Sequence, residues 1–144
     1  MSMIDISDKN VIKRTAKAYG EIILSSESIK HIKEKKVKKG DVLEIAKITG
    51  IQAAKNCWNT IPLCHQIPLE KINIEFNIEP HKITGECTVI AHYKTGVEME
   101  AILGISTALI TIWDMIKYIE KDEHGQYPTA KIENIIVKEK KKWE

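Results

Sequence analysis

Aromatic side chains are scarce in this chain of 144 residues, which holds three Trp, four Tyr and a single Phe. The scarcity bears on nucleic acid, because a sheet that reads single-stranded RNA stacks bases on aromatics of its central strands. The candidate strands offer only Phe76 and Tyr93, with no Gly-Phe-type signature around either, and an RNA-recognition module is set aside. Cysteine is sparse too. Three residues, at 57, 64 and 87, are an odd number at irregular spacing, which excludes a disulfide framework and fits a reducing compartment. With no C-x-x-C pair, a zinc site from Cys57, Cys64, His65 and Cys87 has little support. No long apolar run is present: the longest stretch free of Asp, Glu, Lys, Arg and His, 101–113, is shorter than the ~20 residues that span a bilayer. MSMIDISDKN at the start has no apolar segment of signal-peptide length. Nor does one sign of charge dominate, since 22 Lys and Arg against 20 Asp and Glu leave +2. Basic character is therefore local, in lysines at 30, 33, 35, 36, 38 and 39 and again at 138, 140, 141 and 142. These clusters read as a solvated surface or a polyphosphate site. The expectation is a soluble, cytoplasmic, single-domain protein over 1–144, with neither membrane nor nucleic acid as partner.

What is present supports a packed core. Hydrophobic residues make up 43% and charged residues 29% of the chain, a balance that folds without cross-links. Residues 1–17 are polar and without period, and read as an N-terminal arm. AYGEIILS (18–25) reads as a strand, and 25–36 as a short helix capped by Ser25 or Ser26. Asp41 starts a stronger helix, with Glu44 three residues on in a capping-box arrangement. Gly50 inside it costs about 1 kcal/mol relative to Ala, which suggests close packing there. Pro62 and Pro68 bracket a loop. KINIEFNIE (71–79) alternates Ile72, Ile74, Phe76 and Ile78, the pattern of a half-buried strand, and 83–93 pairs back after a turn. A long helix spans about 98–120, followed by a strand at about 129–138 and a Lys-rich tail, 138–144. Strand, helix, strand, strand, helix, strand is the order of an α+β, ferredoxin-like βαββαβ sandwich: an antiparallel sheet with helices packed on one face.

The long helix is apolar around most of its circumference, and its remaining face holds Ser106, Thr107 and Thr111. A helix on one sheet should show a more polar back; the expectation is that another subunit covers this one. Asp114 and Lys117, at i and i+3, can meet directly. A helix-end salt bridge is the plain explanation, but in apolar surroundings such groups have tunable pKa values. Glu100 shares roughly the same stripe as Asp114, fourteen residues earlier, and stands about 21 Å away along the axis. The two serve one site only if the second comes from a neighbouring protomer. Leu63-Cys64-His65, held between prolines, offers a thiol and an imidazole. A Cys–His nucleophile lacks an orienting third group, so a His that hydrogen-bonds substrate is the simpler reading.

Several segments together resemble the molybdenum-cofactor biosynthesis protein C family, the cyclic pyranopterin monophosphate synthases. They are IDISDK at 4–9, KKGDVLEIAKITGIQAAK at 38–55, IPLCHQIPL at 61–69, KTGVEMEA at 94–101 and LITIWDMIK at 109–117. They run in order and leave little of the chain unmatched. The resemblance implies a ferredoxin-like subunit in a homohexamer, a trimer of dimers with sites at subunit interfaces. It implies a lyase acting on a small molecule, the cyclised dihydro-GTP 3',8-cyclo-7,8-dihydroguanosine 5'-triphosphate. The product is cyclic pyranopterin monophosphate, the molybdopterin precursor, with pyrophosphate released and neither cofactor nor metal called for. Residue by residue, it implies Asp114, Lys117 and Lys39 as catalytic, and Leu63, Cys64, His65, Met99 and Glu100 as substrate-binding. Lys55 and Glu98 fall in matching motifs with lesser roles. Asp114 and Lys117 are expected to move protons while Lys39 holds phosphate. The chain departs from the family at its end, where VKEKKKWE replaces the usual glycine-rich tail, and Lys138 and Lys140 are left outside the expected site. The alternatives are a nucleotide- or RNA-binding module and a purely structural oligomer.

Overall fold

The computed structural model describes residues 1–144. Eight elements follow in order: β1 (Ile12–Ile23), α1 (Ser26–Lys33), α2 (Val42–Lys55), α3 (Cys57–Thr60), β2 (Lys71–Ile78), β3 (Lys82–Tyr93), α4 (Glu98–Glu120) and β4 (Lys131–Trp143). The four strands form one antiparallel sheet in the order β2-β3-β1-β4. β1 and β2 flank β3, so the connection through α1 and α2 is the split βαβ of a ferredoxin-like sandwich.

Alternation in the central strands decides which face is covered. Ala16, Ala18 and Ile22 of β1 and Ile83, Cys87, Val89 and Ala91 of β3 are buried. Their neighbours Lys17, Tyr19, Thr84, Glu86 and Thr88 occupy the opposite face. α4 lies across the buried face with Ile105, Leu109, Ile112 and Ile116 fully inside, each contributing about 1.5–3 kcal/mol relative to exposure. By length and composition this helix would pass for a membrane span, yet half of its most apolar stretch is buried inside the protein.

α2 packs beside α4, and here the expectation of an intersubunit cover is corrected in part. Thr49 Oγ1 lies 2.7 Å from Thr111 Oγ1, so the same chain covers the helix back at Thr111. The approach is close because both helices carry glycine at the crossing: a Cβ on Gly50 would stand 2.8 Å from the Gly104 carbonyl oxygen. Ile110 and Ile48 remain exposed.

Two strands are longer than their sequence patterns suggest. β1 begins at Ile12, inside the stretch read as an arm, and β4 runs on to Trp143, through the stretch read as a tail. In both, lysines mark the solvent face or an edge, and they hide the strand signal. β4 is an edge strand, where lysine discourages pairing with another chain. Its end is tied down by Trp143, whose Nε1–H donates to Thr15 Oγ1 at 3.2 Å and whose ring lies beneath the Lys13 and Lys141 ammoniums. Bulges opposite Lys17/Ala18 and Tyr19/Glu21 interrupt the β1–β4 register, with Asn134 at φ 57 within the second.

The helix ends are fixed by polar contacts. Ser25 caps α1, and its N–H and hydroxyl both donate to Glu120 Oε2 at the far end of α4. Asp41 caps α2, accepting from the Glu44 N–H at 3.3 Å.

Candidate active site

The expected site residues fall into two groups, one at each end of α4. At the C-terminal end, Asp114 and Lys117 share one face and their charged groups stand 2.9 Å apart. Lys39 joins them from the loop between α1 and α2, its Nζ 2.8 Å from Asp114 Oδ2 and 3.3 Å from the Asp114 carbonyl oxygen. One carboxylate is thus gripped by two ammoniums. Hydrogen bonds from Lys39, and then from Lys117, hold the Asp114 carboxyl down at about 2. Asp114 in turn raises Lys117 above the ordinary lysine value. The apolar-surroundings explanation does not hold within one chain, because both side chains are about half exposed. The shifts come from ion contacts. With one negative and two positive charges the cluster is net cationic, and it borders a shallow cavity of about 230 Å³ walled by Ile110, Trp113 and Ile132.

Toward the other end, Leu63, Cys64, His65, Met99 and Glu100 all line one cavity of about 310 Å³. The loop after α3 supplies the first three and the opening turn of α4 the last two. The arm lines this cavity through Ile4, Ile6 and Lys9. His65 Nε2–H donates to the Ile4 carbonyl at 2.7 Å, and Lys94 Nζ holds the Ser7 carbonyl at 3.3 Å. Glu100 is nearly inaccessible. Burial pushes its carboxyl up to about 6, helped by the Glu98 carboxylate and partly offset by its own backbone amide. Its carboxyl thus titrates closer to neutrality than an exposed glutamate does.

The surroundings of Cys64 disfavour a thiolate. Burial, with Glu100 nearby, raises its thiol, and Cys57 beside it is pushed up to about 12. His65, bonded to the arm, does not orient it. Cys87 sits apart, in the sheet beneath Gly104, and no three His, Cys, Asp or Glu side chains converge in the manner of a metal site.

Two lysines outside the expected site residues stand out, one lining the cavity and one bonded to a residue that lines it. Lys9 of the arm lines it; its signal was the IDISDK segment. Lys140 of β4 reaches Glu98 Oε1 at 3.1 Å, while Glu98 Oε2 is buried without a partner. Nothing local announces this, because 42 residues separate the pair. Lys138 instead bonds Glu86 on the open sheet face. Lys55 borders a separate groove on α2, with Ile48, Ile51 and Gln52.

On one α+β sandwich, then, an acid-lined cavity and a net cationic cluster lie about 21 Å apart along a shared helix. The chain belongs to the MoaC family, whose model matches residues 3–142. A protein of Thermoplasma acidophilum called probable cyclic pyranopterin monophosphate synthase is 52% identical over 140 residues, covering 97% of this chain and 98% of the relative. One of the same name in Thermococcus kodakarensis is 51% identical over 144 residues, covering 100% of this chain and 92% of the relative. A third, from Methanothermobacter thermautotrophicus, is called probable cyclic pyranopterin monophosphate synthase accessory protein; it is 50% identical over 142 residues, covering 99% and 89%.

Proposed function

We propose that this chain is a lyase of molybdenum cofactor biosynthesis that converts 3',8-cyclo-7,8-dihydroguanosine 5'-triphosphate to cyclic pyranopterin monophosphate and releases pyrophosphate. Family membership and the names of the relatives support the reaction. The observation that carries the assignment of roles is the division of charge between the two half-sites. A triphosphate that expels pyrophosphate needs fixed cations on the leaving group, and the Lys39–Asp114–Lys117 cluster has a surplus of one. A purine-derived ring presents N–H donors, which suit carboxylate acceptors; Glu98 has a buried oxygen without a partner and Glu100 lies beside it in the same cavity.

In this account the arm, Leu63 and Met99 enclose the ring system, and His65 Nε2 turns from the Ile4 carbonyl to the substrate. Glu100 takes or gives a proton as the ring opens and recloses. Lys39 and Lys117 hold phosphate oxygens, while Asp114 orients both ammoniums and exchanges a proton with Lys117 once a phosphate loosens their contact. A substrate hydroxyl then attacks the α-phosphorus, its proton passing to the Asp114–Lys117 pair, and the α–β phosphoanhydride bond breaks to release pyrophosphate against the lysines.

One protomer does not bring the halves together, so the complete site joins one chain's cavity to a neighbour's cationic cluster, in a homohexamer arranged as a trimer of dimers. Exposed Ile48, Ile110 and Met99 supply apolar surface for such contacts. Supplying the cyclised triphosphate to the folded protein and measuring pyrophosphate together with the pterin product tests the reaction. Binding without turnover would leave a nucleotide-binding module instead.

A further inference from the structure

Lys39 reaches Asp114 from a loop with little to hold it. Within 34–41 the backbone hydrogen bonds are local, such as Gly40 N–H to the Val37 carbonyl at 3.1 Å. Gly40 adopts φ +122, a left-handed conformation that turns the chain from Lys39 into the Asp41 cap. Val37 is buried and seats the loop by apolar contact. Apart from the Lys39 ammonium itself, a single hydrogen bond ties this loop to α4: the Lys38 N–H donates to Tyr118 Oη at 3.0 Å, across 80 residues of sequence. The Lys38 ammonium also lies over the Tyr118 ring, 5.1 Å from its centre.

Tyr118 is four residues beyond Asp114, hence one helical turn along the same face. Its hydroxyl grips the residue next to Lys39, so the backbone from which the lysine stem leaves is fixed at one helical turn from the carboxylate it meets. A four-carbon stem on a loosened backbone has many rotamers, and few of them end at Asp114.

We propose that Tyr118 is a positioning residue: its hydroxyl fixes Lys38 and thereby sets the Lys39 ammonium against Asp114, a role that rests on the reading in which this cluster acts on substrate. The charged and titratable groups facing Asp114 are Lys39 from the loop and Lys117 from its own helix. Tyr127 faces Lys117 in turn, and Lys38 covers Tyr118. Of these, Lys39 has the largest hold on the Asp114 carboxyl, so releasing it has a signature at Asp114 separate from activity.

The test is Tyr118→Phe, which keeps the ring under Lys38 and removes only the hydroxyl. Asp114 is titrated by carboxyl-carbon NMR, and kcat and KM are measured for pyrophosphate release from the cyclised triphosphate, in the wild-type and Lys39→Ala backgrounds. The expected results are a higher Asp114 midpoint and a kcat lower by about tenfold, as a small misplacement of a catalytic group produces. KM should change less, and the variant should have no further effect once Lys39 is gone. An unmoved midpoint with unchanged kcat overturns the proposal, as does an equal loss in the Lys39→Ala background, which would make Tyr118 act directly. A raised midpoint with full turnover supports the positioning and overturns the catalytic reading of the cluster.

Discussion

The Lys39 ammonium and the Asp114 carboxylate lie 2.8 Å apart, although 75 residues separate them in the chain. The contact joins the loop that precedes α2 to the C-terminal turns of α4, and it makes Asp114 the hub of a three-residue ion cluster. Both ends are half exposed, so the pair is screened and adds little stability.

Asp114→Asn should therefore separate catalysis from folding. Turnover is expected to fall by about 10²–10⁴, the range for loss of a positioned acid or base. Unfolding free energy at pH 7 should change by no more than about 1 kcal/mol. Because the folded carboxyl titrates at about 2 rather than 3.8, its contribution is complete above pH 4 and is lost as pH falls through 2. Urea melts of both proteins from pH 2 to 7 check this: their difference should vanish at the acid end.

Glu100 has the opposite sign. Its carboxyl is raised from 4.5 to about 6, so the folded state holds the proton more tightly and stability declines as pH rises between those values. Glu100→Gln removes the ionisation. It should stabilise the protein by about 2 kcal/mol above pH 7, with no difference below pH 4, while turnover collapses. Thermal unfolding against pH reads the first effect and the pyrophosphate assay the second.

Gly50→Ala tests the helix crossing that backs α4. The added methyl meets the Gly104 carbonyl oxygen at 2.8 Å, and backbone does not yield as a side-chain tip would. The gain in helix propensity is small against overpacking of about 1–3 kcal/mol. A lower denaturation midpoint is the expected outcome; a raised one would mean that α2 and α4 are farther apart than described.

Alkylation distinguishes Cys64 as a lining residue from Cys64 as a nucleophile. Burial and the nearby Glu100 hold its thiol above the ordinary range, so iodoacetamide at pH 7 should modify it more slowly than free cysteine. Cys64→Ala should retain turnover within about tenfold, far from the collapse expected on losing a covalent nucleophile.

Much of the scaffold was legible from local signals. Asp41 with Glu44 marked the start of α2, alternation through Ile72, Ile74, Phe76 and Ile78 marked β2, and Gly96 and Gly125 bracketed α4. The ends of β1 and β4 were hidden because their lysines belong to a solvent face and an edge, where a strand needs no apolar residue. Thr111 looked like an uncovered helix back because its partner, Thr49, is distant in sequence. At the site, the i,i+3 pairing of Asp114 with Lys117 followed from helical spacing. Lys39 was known as a site residue only through the family likeness; its grip on Asp114 is a tertiary contact no spacing reveals. The same holds for Lys140 against Glu98 and for Tyr118 against Lys38.

The central claim is that the acid-lined cavity and the cationic cluster, set at opposite ends of one helix, complete a catalytic centre only between protomers. Co-expressing two inactive variants, Glu100→Gln and Lys117→Ala, tests it most directly. Random mixing across a two-fold interface should restore about a quarter of the wild-type rate of pyrophosphate release, because some interfaces then pair an intact cavity with an intact cluster. A mixture as inactive as either variant alone, in oligomers shown to contain both chains, would place the whole site within one protomer and contradict the account.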